Sequence, residues 1–230
     1  MSFTMTHLAV AKRVNDKLGI VKDLPSFFLG AVAPDAVHMR ENFNGDMKVS
    51  SHYSVEGDYW GQVANADIWR QQSFAYIESL RDSSNRDFYL GYFIHILTDA
   101  YNHDKMWLPF VDKRLAENVP FTDIKGLISE DYDRIDWMQY DSYEWQNDVL
   151  SLLEVAKGVK VEDRVKACEI EGYRDILIKM YRQNIPFMDL INGVESSAEA
   201  ERKLPVYVSV EEILGFVEEA VEGICRGIFI

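Results

Sequence analysis

One segment in the first half of the chain carries three side chains of the kind that bind metal ions. It places His95, Asp99 and His103 at H-x-x-x-D-x-x-x-H spacing. A helix turns by about 100° per residue, so residues four apart lie on one face, stacked one turn above the next. If the segment is helical, two imidazoles and a carboxylate can converge on a common cation.

The composition of the same segment predicts a helix that is buried on nearly all sides. Between Phe88 and His103 the only carboxylate is Asp99, and there is no Lys or Arg. A buried, unpaired carboxylate is costly, and a metal ion, an arginine or a cluster of hydrogen-bond donors can each remove that cost. A metal ion makes the best use of the flanking histidines. The simpler alternative is a hydrogen-bonded Asp99 beside two core imidazoles.

Three more side chains in the first half are candidate ligands. They are His7 on the apolar stripe of an early helix, Asp35 directly after Pro34, and His52 in the segment Ser50-Ser-His-Tyr-Ser. Each alone is more often a core histidine, a helix N-cap or an exposed loop histidine, and His38 is as easily a surface residue. All five histidines nevertheless lie within the first 103 residues, and this clustering favours a shared site.

The six candidate ligands offer imidazole nitrogen and carboxylate oxygen but no thiolate sulfur. They are His7, Asp35, His52, His95, Asp99 and His103. Such a set suits zinc first, and also manganese or iron. It is large enough for one to two ions, with a carboxylate such as Asp99 able to bridge them. A catalytic ion keeps an open position for water, so we expect a phosphoesterase-like site.

Helices have to position these residues. Apolar periodicity predicts helices over residues 7–18, 60–80, 88–107, 145–156, 161–184 and 210–225, the last opened by a capping box from Ser209 to Glu212. A loop is expected over 42–54 and a surface excursion over 193–203. The short run Val206-Tyr207-Val208 has no period-two partner, so the fold class is all-α. We expect one domain over 1–230, with the metal ligands in 1–110 and a helical second half.

The net charge limits the classes of molecule that the chain can bind, and the cysteine content argues against disulfides. Twenty-four Lys and Arg against 38 Asp and Glu give a net charge of −14, which argues against binding long nucleic acid. A small anionic substrate is still compatible, because bound divalent cations reverse the local potential. Cys168 and Cys225 are too few for a disulfide framework.

The early residues lack the apolar core of a secretory signal, and no apolar run reaches the ~20 residues of a membrane span. We therefore expect a cytoplasmic protein without a transmembrane helix.

Four motifs, taken in order, resemble the zinc-dependent phospholipase C family, whose fold also serves single-strand-specific zinc nucleases. They are Thr6-His7-Leu8, Phe28-Leu-Gly30-Ala-Val-Ala-Pro34-Asp35, Ser51-His52-Tyr53 and Tyr89-Leu-Gly91-Tyr-Phe-Ile-His95-Ile-Leu-Thr-Asp99-Ala. They cover roughly the first half of the chain. The resemblance implies a multi-helix bundle of the phospholipase C and nuclease type, and hydrolysis of a small phosphoester or a phospholipid-derived substrate.

The resemblance also implies roles for the candidate residues. One zinc would be held by Asp35, His52, His95 and Asp99, and a second by His7 and the bridging Asp99, with His103 as a further ligand. Asp35 would be the general base that activates water for in-line attack on phosphorus. The family's later His and Glu ligands have no histidine counterpart here, which leaves Asp131, Asp133 or Asp136 as substitutes.

Two other interpretations of the sequence are open. The dipeptide His103-Asp104 is similar to the ligand pair of HD-type phosphohydrolases, although those enzymes have a different ligand order and the H-x-x-x-D spacing fits the phospholipase-like pattern better. Alternatively, the metal site is structural and only holds helices together in a non-catalytic scaffold, since zinc can stabilise a fold directly. The sequence leaves the oligomeric state open.

Overall fold

The chain folds into helices that surround one central helix. The computed structural model describes residues 3–54, 63, 65–193 and 203–228. Its α-helices are α1 (Thr4–Leu18), α2 (Leu24–Gly30), α3 (Gly45–Ser51), α4 (Ala66–Ser79), α5 (Arg86–Asn102), α6 (Leu108–Ala116), α7 (Phe121–Ser142), α8 (Gln146–Val155), α9 (Ala167–Gln183), α10 (Phe187–Ile191) and α11 (Val210–Ile228). A 3-10 helix covers Ala33–Met39, and a π-helical turn, His103–Trp107, joins α5 to α6. Within these residues there is no strand, which confirms the all-α prediction.

Helix α5 lies at the centre of the bundle. It packs against α1, α2, α4 and α11, and most of its side chains are buried. His95 is 1% exposed, and the aromatic residues Phe88, Tyr92 and Phe93 are buried around it. The expectation that this segment is a helix covered on nearly all sides is therefore confirmed. None of the described helices combines the length and the apolar character that crossing a lipid bilayer requires.

Two glycines allow α2 and α5 to cross at very short range. A Cβ atom built on Gly30 would lie 2.0 Å from the carbonyl oxygen of Phe88, and one built on Gly91 would lie 2.0 Å from that of Phe27. No side chain fits at such distances, because the neighbouring atoms belong to helix backbone. The close crossing brings the end of α2 against the middle of α5, where His95 lies.

Helix ends follow local signals in several places. Gly19 has φ of +61°, and its backbone N–H donates to Asn15 and ends α1. Ser209 and Glu212 form the expected capping box at the start of α11: the Ser209 N–H donates to the Glu212 carboxylate at 2.7 Å, and the Glu212 N–H donates to Ser209 Oγ at 3.1 Å. The helix expected over 145–156 is α8, within one residue at each end.

Three parts of the sequence interpretation were wrong. The segment 42–54 was expected to be a loop, but it contains α3, whose first turn is capped by Asn44 accepting from the Met47 N–H at 3.1 Å. The helix expected from residue 161 begins only at Ala167, because Val161 and Val165 form a tight backbone bridge first. Helices α6 and α7 were not predicted. Parts of the predicted helix 60–80 and of the excursion 193–203 lie outside the described residues.

Helix α7 is tied to other parts of the chain through two buried carboxylates, of which Asp136 reaches the first half. Asp131 accepts hydrogen bonds from the backbone N–H groups of Val206, Tyr207 and Val208. Asp136 accepts from the Met5 N–H at 2.7 Å and from the Tyr181 hydroxyl, and burial raises the pKa of Asp136 to about 7. These two carboxylates therefore hold backbone and phenol donors.

Candidate metal centre

Four elements bring five of the six sequence-predicted ligands together in the interior. His7 comes from α1, Asp35 from the 3-10 helix, His52 from the residue after α3, and His95 and Asp99 from α5. Their ligand atoms form two groups, each with all atoms within 4.8 Å of one another: His7, Asp35 and His95 in one, and His52, His95 and Asp99 in the other. His95 belongs to both groups. The geometry can thus serve one ion or two neighbouring ions.

The two histidines at the middle of the cluster, His52 and His95, face each other through their Nε2 atoms. His95 Nδ1 lies 2.8 Å from the carbonyl oxygen of Ala31, and His52 Nδ1 lies 3.0 Å from that of Lys48. A carbonyl can only accept, so these contacts favour the tautomer with the proton on Nδ1 in both rings; the Ser51 hydroxyl lies 2.9 Å from His52 Nδ1 and also donates to the Lys48 carbonyl. In that tautomer both Nε2 atoms are unprotonated, and they face each other at 3.3 Å. A cation between them turns this repulsion into coordination.

The Asp99 carboxylate spans two of the histidines. Its Oδ1 lies 3.4 Å from His7 Nε2, and its Oδ2 lies 3.2 Å from His52 Nε2 and 3.8 Å from His95 Nε2. One carboxylate with an oxygen toward each group is the arrangement of a bridging ligand. Asp35 reaches the same region, with Oδ1 3.5 Å from His52 Nε2 and Oδ2 4.0 Å from His95 Nε2.

Burial fixes the protonation states that metal binding needs. It lowers the pKa of His7 to about 3 and that of His95 to about 4, and it also lowers the pKa of His52, so all three imidazoles are neutral near pH 7. For Asp99, burial alone would raise the pKa, but contact with His52 and the nearby His7 bring it well below its usual range. The donors are thus neutral imidazoles and an ionised carboxylate, which is the form of the ligands that zinc binds.

Sequence reasoning missed Lys48 beside Asp35 and interpreted His38, which lies there too, as equally well a surface residue. Lys48 Nζ lies 2.8 Å from Asp35 Oδ1 although Lys48 is only 4% exposed, and His38 Nδ1 lies 3.6 Å from the same oxygen. Burial would raise the pKa of Asp35, but Lys48 and His38 hold it well below its usual value. The spacing of Asp35 and His38, three residues apart, was a usable signal. Lys48 gave none, because its segment was interpreted as a loop.

His103 lies outside both groups. Eight residues of α-helix rise by about 12 Å, so His103 is two turns away from His95 along the helix axis. Its Nδ1 is 3.2 Å from Asp104 Oδ1, and the buried Nε2 has no hydrogen-bond partner among the described residues. Asp104 also pairs with Arg70 at 2.7 Å and belongs to neither group of ligand atoms.

The other substitute ligands are also placed elsewhere. Asp131 and Asp136 hold the backbone and phenol donors described above, and Asp133 is exposed on α7. None of the three belongs to either group of ligand atoms found in the described part of the chain.

A cavity of about 170 Å³ opens beside the cluster. Part of its lining is polar: His7, Asp35, Lys48, Asp99, Asn102, His103, Lys125 and Ser129. The rest is apolar or aromatic: Phe3, Val63, Trp69, Trp107, Phe121, Ile128 and Tyr132. Such a cavity can hold a polar reacting group at the cluster and an organic group against the aromatic wall.

Comparison with known proteins identifies a family. A family model described as zinc-dependent phospholipase C matches residues 6–192, which is most of the chain. Neither the curated proteins nor the solved structures include a significant match. The matched range contains all five residues of the two ligand groups.

Proposed function

Because the chain belongs to the zinc-dependent phospholipase C family, we propose that it hydrolyses phosphate esters with zinc held by His7, Asp35, His52, His95 and Asp99. The observation that carries this proposal is the pair of Nε2 atoms of His52 and His95, which face each other at 3.3 Å between two carboxylates. A cation held between these nitrogens and carboxylates would be coordinated by all four groups.

The cluster suits one or two ions. In a two-ion centre Asp99 would be a ligand of both ions, because its two oxygens face different histidines. His103 lines the same cavity and is the remaining candidate ligand for an ion farther along α5. Zinc ranks first for this donor set, and manganese and iron also accept imidazole and carboxylate. When bound, zinc supplies Lewis-acid stabilisation of the negative charge that develops on the phosphoryl oxygens.

Asp35 is the proposed general base. Lys48 and His38 hold its pKa well below its usual value, so its carboxylate is ionised near pH 7. Lys48 donates to Oδ1, which leaves Oδ2, the oxygen nearer His95, to take the proton from an attacking water. Lys48 fixes the orientation of the carboxylate while this happens.

The cavity dimensions and the charge of the chain define the proposed substrate. A volume of about 170 Å³ with an aromatic wall suits a small phosphoester or a group derived from a phospholipid. The net charge of −14 argues against long nucleic acid, because binding it relies on many basic side chains.

A chromogenic phosphodiester assay tests the proposal. We expect zinc-loaded protein to release the chromophore, a chelator to abolish the activity, and Asp35→Asn to lower kcat by about a hundredfold or more. Asp163→Asn, at a fully exposed side chain on the surface, is the matched control and should turn over normally.

Two results would contradict these assignments. Undiminished turnover in Asp35→Asn would remove Asp35 as the base. Zinc bound in stoichiometric amount with no turnover of any phosphate ester would favour the non-catalytic scaffold, in which the ion only holds α1, α3 and α5 together.

A further inference from the structure

Two lysines line the cavity, and they differ in their surroundings. Lys48 is buried and donates to Asp35 at 2.8 Å. Lys125, on α7, lines the same cavity, but its ammonium group forms no ion pair or hydrogen bond within the part of the chain that the structure describes. It lies close enough to Lys48 for that charge to lower the pKa of Lys125, together with partial burial, which is the larger cause.

An ammonium group in this position lacks a counter-charge. Lys125 is exposed by its accessible surface, so water still solvates much of its ammonium group, but the charge of Lys48 repels it. A ligand that brings a negative charge next to Lys125 would relieve this repulsion.

The charges of the cavity lining cancel in the metal-free protein. Two carboxylates, Asp35 and Asp99, line the cavity, both face the histidine cluster, and the two lysines balance them. Each divalent ion bound at the cluster would add two positive charges. With an ion bound, the cavity would be a positive region in a chain whose net charge is −14.

Building on the proposed function, we propose that Lys125 is a specificity residue that binds a second anionic group of the substrate, so that the cavity prefers anionic phosphate esters to esters with a cationic group. The second group is a carboxylate or a further phosphate, which share the chemistry that an ammonium group recognises. The aromatic wall of Trp107, Phe121 and Tyr132 then holds the apolar part of the same molecule.

Three chromogenic phosphodiesters with the same 4-nitrophenol leaving group test this preference. Their second ester group is carboxyethyl, ethyl or 2-(trimethylammonio)ethyl, so they differ in one charge at a time. We expect kcat/KM of the zinc-loaded protein to fall in that order, with at least about tenfold between the ends, equivalent to about 1.4 kcal/mol. In Lys125→Glu the order of kcat/KM among the three substrates should reverse, while Lys125→Arg should keep the parent's order.

The matched control is Lys160→Glu, which changes the net charge equally at an exposed lysine that pairs with Asp163. It should keep the order of the three substrates. An order unchanged in Lys125→Glu, or an equal loss for all three substrates, would overturn the role of Lys125 and leave phosphodiester hydrolysis standing.

A binding measurement separates this inference from the proposed function. The probe is 2-carboxyethylphosphonate, which carries a phosphonate and a second, carboxylate group. Calorimetry with this probe and zinc-loaded protein should give a dissociation constant at least about threefold weaker in Lys125→Gln than in the parent chain. If no diester is hydrolysed, the proposed function fails, and the calorimetry still decides about Lys125. Equal binding of 2-carboxyethylphosphonate by the two proteins would overturn the inference.

Discussion

At the scale of single residues, backbone carbonyls prepare the two central histidines for metal binding. Ala31 and Lys48 each accept from an Nδ1, which fixes the tautomer and the ring orientation of His95 and His52. Little side-chain entropy then remains to be lost when an ion binds. The cost of the arrangement is paid in the metal-free state, where two lone pairs and two carboxylates lie side by side.

The lowered pKa values of the histidines predict that the affinity for zinc changes little when the pH falls below 7. A histidine with an ordinary pKa of about 6.5 is mostly protonated at pH 5.5, which would weaken zinc binding by about tenfold per ligand, or about a hundredfold for two. His7 and His95, with pKa values of about 3 and about 4, stay neutral at that pH. We therefore expect the zinc dissociation constant to change by less than about fivefold between pH 7.5 and 5.5.

Competition with a chromophoric chelator of known pH dependence measures this constant. A hundredfold weakening over the same range would mean that the histidines titrate as exposed groups do, and that burial does not set their protonation in the metal-free protein.

At the scale of the elements, the site depends on how closely α2 and α5 cross. Gly91→Ala would place a methyl group 2.0 Å from the Phe27 carbonyl oxygen and force the helices apart. The Ala31 carbonyl would then move away from His95 Nδ1. We expect a loss of at least about 2 kcal/mol in the free energy of unfolding, from overpacking, and weaker zinc binding.

Gly172→Ala is the matched control, because α9 leaves open space around that glycine. It should stabilise the protein by about 0.5–1 kcal/mol through helix propensity alone. Chemical denaturation of the metal-free proteins, in the presence of a chelator, measures the free energy of unfolding of both variants and of the parent chain. If Gly91→Ala is as stable as the parent and binds zinc equally well, the close crossing does not position His95.

The sequence predicted those elements whose signal is local. The four-residue spacing of His95 and Asp99 and the absence of charge around them were enough to predict a buried α5 with a polar pair. Helix α7 was missed because its apolar stripe, Ile124, Ile128 and Ile135, alternates with acidic residues, two of which are themselves buried. The short α3 was missed because polar residues and Gly45 dominate it.

Contacts between distant segments could not be derived from local patterns. The ion pair of Lys48 with Asp35 joins residues 13 apart in the chain through a turn that no periodicity describes. The convergence of His7 on Asp99 joins α1 to α5. Ordered motifs, interpreted by family resemblance, predicted which of these residues meet. Spacing alone predicted that His95, Asp99 and His103 converge, and only the first two share a ligand group.

At the scale of the whole molecule, the cluster connects segments that are far apart in sequence. Its ligands come from α1, the 3-10 helix, the end of α3 and α5, so an ion bound there links most of the first hundred residues. We expect zinc at a hundred times its dissociation constant to add about 2.7 kcal/mol of stability, or about 5–10 °C in Tm for a chain of this size.

Calorimetric melting with zinc and with chelator measures this shift. In His95→Ala, which removes the ligand common to both groups, the two curves should nearly coincide. An equal shift in His95→Ala and in the parent chain would place the stabilising ion elsewhere.

The central claim is that His52, His95, Asp35 and Asp99 hold a metal ion between them. Anomalous diffraction at the zinc edge from a crystal of the zinc-loaded protein tests this most directly. We predict a peak within about 2.0–2.2 Å of both His52 Nε2 and His95 Nε2, with a carboxylate oxygen of Asp99 or Asp35 at a similar distance. A map whose zinc peaks all lie away from these two nitrogens would contradict the claim.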